Sequence, residues 1–243
     1  VTASRAGRLR VRTDAPPAVP LPAPGAPSSP RLIDPRDVPR RRTSSREGRI
    51  ALLHAIAHIE FNAINLALDA AWRFRRLPDA FRADWIRVAE EEARHYQLVV
   101  ARLADYGCAY GDLDAHAGLW EMAVKTAHDP LVPMAMGPRL MEDRGLDVNP
   151  GIQQKFAAAG DTASVAALEV ILAEEVGHVA IGNHWFGVLC RQRGLEPLAT
   201  FVDLLAEYAI PVPRPPFNLA GRQAAGFTPA DGFDPSCSTP TSS

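Results

Sequence analysis

From about Ser45 to Arg75 the apolar positions return every three or four residues. Leu53, Ile56, Ala63, Ile64 and Ala67 form the stripe of an amphipathic helix. Leu77-Pro78-Asp79 interrupts the pattern, and Asp79 is placed to cap a second helix. That helix is expected to run to about Asp105, with Trp85, Val88, Val99 and Leu103 on one face. Gly107 to Asp112 reads as a loop and 116–127 as a shorter helix. Pro130, Pro133 and Pro138 make the stretch to about Arg144 less regular. Asn149-Pro150 has the form of a cap and first turn, opening a short helix that ends at Gly160. Asp161 then caps a long helix to about Arg193, and a last helix covers about 196–208. No strand run and no internal repeat stands out. The class is all-α.

Both ends are of different character. Residues 1–44 are rich in Pro, Arg and Ser and are expected to form an extended arm. Its run Arg40, Arg41, Arg42 reads as a solvated charge run before a grip for a partner. Residues 45–210 then make the helical domain, and 211–243 a Pro-rich wrapping tail, disordered at its end. The chain is 47% hydrophobic and 22% charged with a formal net charge of -2. That leaves no basic field for nucleic acid, and no nucleic-acid partner is expected. Cys108, Cys190 and Cys237 stand far apart, which gives neither a zinc ribbon nor a disulfide framework. No membrane partner is expected, because no apolar run reaches the roughly 20 residues of a span. The basic N-terminus also lacks the apolar core of a secretory signal. The expected location is cytoplasmic.

The chemistry is in acids that stand on apolar stripes. Glu60 lies in line with Leu53, Ile56 and Ile64. Glu92 follows Trp85 by seven and Val88 by four, and Glu175 follows Leu168 by seven and Ile171 by four. Each points where a core should be, and a buried carboxylate needs a cation or a proton. Two of the three begin the same unit, Glu92-Ala-Arg-His95 and Glu175-Val-Gly-His178. Residues i and i+3 share a helix face, so each Glu and His reach one small volume. Bundles that hold two metals use ExxH from two helices and a single Glu from each of two others. Glu60 is the natural single Glu of the first pair. Glu142 is preferred to Glu121 for the second, while Glu169, six residues before Glu175, points off the face. From Glu60 to the turn at Leu77-Pro78, and back to Glu92, each arm is about 20 Å, so a hairpin sets the two acids at one height. Glu91 and Glu174 precede the two ExxH glutamates. They are candidates to receive the second N–H of the ligating histidines, Glu91 for His178 and Glu174 for His95; solvated helix charges are the near-even alternative. His54 and His58, at i and i+4, read as structural histidines.

The two ExxH units, with HAIAHIEFNAINLALDAAWRF and LEVILAEEVGHVAIGNHWF, resemble the bacterial ferritin-like family catalogued as domain-of-unknown-function family 455. The resemblance covers about residues 30–228, including PFNLAGRQAAGF, and EEARH is similar to the ExRH signature of di-iron carboxylate oxygenases. It implies a ferritin-like four-helix bundle with extra helices. Its ligands would be Glu60, Glu92, His95, Glu142, Glu175 and His178, and its cofactors two iron ions, with Fe/Mn or Mn as variants. It implies no particular reaction. The expectation is an oxidoreductase that activates O2 to oxidise or hydroxylate a small-molecule or modified-nucleoside substrate, with an electron-donor protein as an optional further partner. The alternative is a ferroxidase or metal-handling protein without an organic substrate.

Overall fold

A computed structural model describes residues 18, 21–39 and 43–228. They are helical, with no strand among them. The helices are α1 (Arg46–Arg73), α2 (Asp79–Asp105), α3 (Gly118–Thr126), α4 (Leu131–Met136), a π-helical turn (Gly137–Glu142), α5 (Asp143–Ala158), α6 (Thr162–Arg193), α7 (Pro197–Glu207) and α8 (Leu219–Ala224). The arginine run 40–42 and Cys237 lie outside the described residues. Two compact units divide the chain. One draws on Val1–His128 and Ile152–Ile171, the other on Asp129–Gly151 and Leu172–Ser243.

In the first unit α1 and α2 form the hairpin that the two stripes require. Ser45 Oγ accepts from the Gly48 N–H at 3.0 Å and starts α1. The connecting turn is closed by Arg82, which donates to the carbonyls of Arg75 at 2.8 Å and Leu77 at 3.2 Å. Asp79 opens α2 but does not cap it. Pro78 stands at the cap position, and its ring fixes the chain direction without a side-chain bond. Leu53, Ile56 and Ala57 pack with Val99, Leu103, Phe156, Leu168 and Ile171 in one core. Asp161 caps the start of α6 through the Ser164 N–H at 2.9 Å, as its position suggests. It also accepts from Tyr106 Oη at 2.7 Å and Arg102 at 3.1 Å, which ties that turn to the end of α2.

By length and composition α1 could cross a membrane, although the sequence pattern points to no such span. Its apolar face is a core face here, and it carries His54, His58, Glu60 and Asn62 buried. The arm before it is partly described. Arg31 forms a two-pronged ion pair with Asp114, at 2.9 and 2.6 Å. Leu32 makes a single parallel bridge with Ala115.

In the second unit the irregular stretch is resolved into a run of three helical forms. The α4 helix passes into the π turn, and α5 follows without a break. Asn149-Pro150 does not start a helix: Pro150 sits inside α5. A proline there removes the bond to the carbonyl four residues back, that of Leu146. The side-chain amide of Asn218 donates to that carbonyl at 3.2 Å and so replaces the lost partner. The helix expected at about 196–208 is α7, capped by Glu196, which accepts from the Leu198 and Ala199 N–H groups. The short α8 lies in the Pro-rich tail, where the sequence pattern shows no helix.

Candidate metal centre

The first triad sits midway along the α1–α2 hairpin. Glu60, Glu92 and His95 each offer a ligand atom, and these lie within 4.8 Å of one another. His95 Nδ1 is 3.3 Å from Glu60 Oε2 and 3.5 Å from Glu92 Oε2. The side chains of His95, Glu60 and Glu92 are 0%, 7% and 1% exposed. The hairpin therefore brings Glu60 to the height of the first ExxH, as the equal arm lengths require.

The second triad is Glu142, Glu175 and His178, again with ligand atoms within 4.8 Å. His178 Nδ1 lies 3.6 Å from Glu175 Oε1, with the imidazole buried and 12% of the Glu175 side chain exposed. Glu142 is half-buried and ends the π turn. Glu121 and Glu169, the competing acids, are both exposed. Glu91 and Glu174 are half-buried, one position before each ExxH glutamate.

The donor set fits a hard divalent ion. With bonds of about 2.1 Å at near-octahedral angles, two ligand atoms on one ion stand about 3.0–3.4 Å apart. The Nδ1–carboxylate separations are close to that. They exceed the roughly 2.7–2.9 Å of a charge-assisted hydrogen bond. A buried group of Glu and His residues that could hold a metal ion is thus present.

His54 and His58 are committed elsewhere. Gly111 N–H donates to His54 Nε2 at 3.0 Å. His58 Nε2 is 2.9 Å from the carbonyl of His116, which can only accept, so Nε2 carries the proton. His58 Nδ1 then accepts from Tyr110 Oη at 2.9 Å. Burial lowers the pKa of both rings, helped in His54 by His58. Burial also pushes the Tyr110 phenol well up, so it stays a donor. Tyr96, beside His95, packs against Phe61 and Tyr110.

A second buried polar group escapes the sequence pattern. Arg222 lies 2.6 Å from both Asp143 and Asp147, with Arg222, Asp143 and Asp147 side chains at most 2% exposed. Burial pushes the Asp143 carboxyl up to about 7; Arg222 pulls it down, Asp147 raises it and Arg139 lowers it. Arg139 is itself buried, 4.9 Å above each of the Phe201 and Phe227 rings. The available signal is an arginine in an apolar tail segment, LAGRQAAGF, but no periodicity ties it to a partner 75 positions away.

The family described as "Protein of unknown function (DUF455)" matches residues 1–231. A protein of Haemophilus influenzae that carries the name "Uncharacterized protein" is 51% identical over 209 residues, 83% of this chain and 73% of that protein. No solved structure matches.

Proposed function

The chain belongs to the family of unknown function DUF455, and from its side chains we propose a two-metal carboxylate oxidoreductase on a ferritin-like four-helix bundle. The observation that carries this reading is the doubling: two triads, each an ExxH pair completed by a Glu from another helical segment. In the proposal each triad holds one divalent ion. Glu60, Glu92, Glu142 and Glu175 supply four negative charges, and two divalent ions neutralise them while the imidazoles of His95 and His178 stay uncharged. Oxygen-rich ligation with two imidazoles suits iron, or manganese in one or both positions. Bound iron supplies O2 reduction and the oxidising power for an organic substrate, taken here as a small molecule or modified nucleoside. The protein's part is to hold the carboxylates against their mutual repulsion, to keep water from the buried side of the site, and to fix both rings. Glu91 and Glu174 are assigned to that last task.

Anaerobic purification, ferrous loading and plasma-emission analysis test the reading. Two irons per chain are expected, with O2 uptake that depends on both. A ceiling of one metal, or zinc held by cysteine, refutes it. Iron accumulating far beyond two per chain, without oxidation of any added organic compound, identifies the metal-handling alternative instead.

A further inference from the structure

Within the second unit, the tail segment from Phe217 to Phe227 touches the π turn and α5 at places that bracket Glu142. Going along the π turn and α5, Pro138 packs on Gly182 so closely that a Cβ there would meet its ring. Arg139 donates to Asn183 Oδ1 at 2.9 Å, and its guanidinium lies against Phe227 of the tail. Glu142 follows. Asp143 then meets Arg222 of the tail, the Leu146 carbonyl accepts from Asn218, and Asp147 accepts from Arg222 and from the Asn218 N–H at 2.8 Å. Glu142 is thus flanked on both sides by tail contacts.

The same segment reaches the helix that carries the other two ligands. Asn183, five residues beyond His178 on α6, donates to the carbonyl of Ala225 at 3.0 Å while accepting from Arg139. Asn183 therefore connects three elements: the π turn, α6 and the tail. Arg222 is anchored independently, 4.3 Å above the Phe217 ring, and its guanidinium fork spans both aspartates. Two features interrupt the α-helical ladder here. The π turn changes its register to i→i+5, and Pro150 takes one bond from α5. The tail touches both places, through Phe227 on Arg139 and Asn218 on the Leu146 carbonyl.

We propose that residues 217–227 are a positioning clip for the Glu142–Glu175–His178 triad, with Asn218 and Arg222 as its positioning residues. The clip sets the distance from Glu142 to the α6 ligands and touches no metal. The inference rests on the two-metal reading and deepens it: it assigns the tail to the positioning of the second triad.

Cobalt(II) titration of the full chain, read by visible absorption and site counting, tests it. Two variants are compared with the wild type. Asn218→Ala removes the bonds to Leu146 and Gly221. Arg222→Met combined with Asp143→Asn and Asp147→Asn removes the ionic clamp without leaving a buried charge unpaired, so it stays foldable where Arg222→Ala would not. In each, one cobalt site is expected to weaken at least about 10-fold, the usual effect of losing an outer support of a ligand, with a changed spectrum. The other site and the far-ultraviolet helicity should be unchanged. Should both variants keep two sites of wild-type affinity and spectrum, the clip is overturned and the two-metal reading stands. Should a variant of unchanged helicity weaken both sites equally, the assignment of the clip to the second triad is overturned. A wild type that binds no cobalt overturns the two-metal reading and the clip with it.

Discussion

Gly182→Ala puts a methyl where α6 meets the ring of Pro138. The new Cβ would stand under 3.0 Å from two carbons of that ring, against the roughly 3.5–4.0 Å of an ordinary contact. Relief needs a shift of at least about 0.5–1 Å, and the ring cannot rotate away because proline's φ is fixed. Overpacking of this kind costs about 1–3 kcal/mol, while Ala in place of a helical Gly returns about 1 kcal/mol. Gly177, on the same helix, has nothing within 4 Å of the point where its new methyl would stand. Gly177→Ala should therefore stabilise by up to about 1 kcal/mol, and Gly182→Ala should destabilise by up to about 2 kcal/mol. The difference between the two isolates the overpacking. Urea unfolding of the metal-free protein measures both. Because Glu142 is only four residues beyond Pro138, the shifted turn should also weaken the second metal site in Gly182→Ala alone. Equal stabilisation by the two substitutions would refute the close approach of α6 and the π turn.

Removing Glu92 or Glu175 as Ala should abolish paired iron binding, whereas Glu169→Ala should bind two irons like the wild type, since Glu169 is exposed; plasma-emission analysis separates them. Iron loading should stabilise the fold and raise the melting temperature, by about 2.7 kcal/mol per site at 100 times Kd, and a Glu60→Ala chain should lose the first site's share of that gain. Burial holds the folded pKa of His54 below its unfolded value. Its contribution is complete above about pH 6.5 and is lost as pH falls through the folded pKa, with a slope of up to about 1.4 kcal/mol per pH unit. His54→Gln, which can still accept from Gly111, should flatten that acid limb in melts from about pH 7 to 4.5.

The hairpin and its buried acids were legible because two constraints coincided. The 3.6-residue period placed Glu60 and Glu92 on core faces, and Leu77-Pro78 set the point about which they fold together. Glu175 and His178 came from the same period on α6. The illegible parts depended on contacts distant in the chain. Pro150 reads locally as a helix start, since nothing near it announces that Asn218 will take the orphaned Leu146 carbonyl. Pro138 reads as a breaker, and only Gly182, 44 positions on, gives its ring a place to pack. Arg222 has no stripe at all, and its meaning lies in Asp143 and Asp147. The α8 helix was hidden for the same reason, being six residues long and held by partners outside itself.

His58 joins a helix to a loop at a single ring. It stands two residues before Glu60, a rotation of about 200° on α1 and so off the Glu60 face. Both of its ring nitrogens are bound, one donating to the backbone carbonyl of His116, the other accepting from the Tyr110 phenol. The loop after α2 is therefore fastened to α1 at two points six residues apart. A proton added at Nδ1 would take away the phenol's acceptor and leave the carbonyl bond in place, so the two fastenings differ in how they answer to acid.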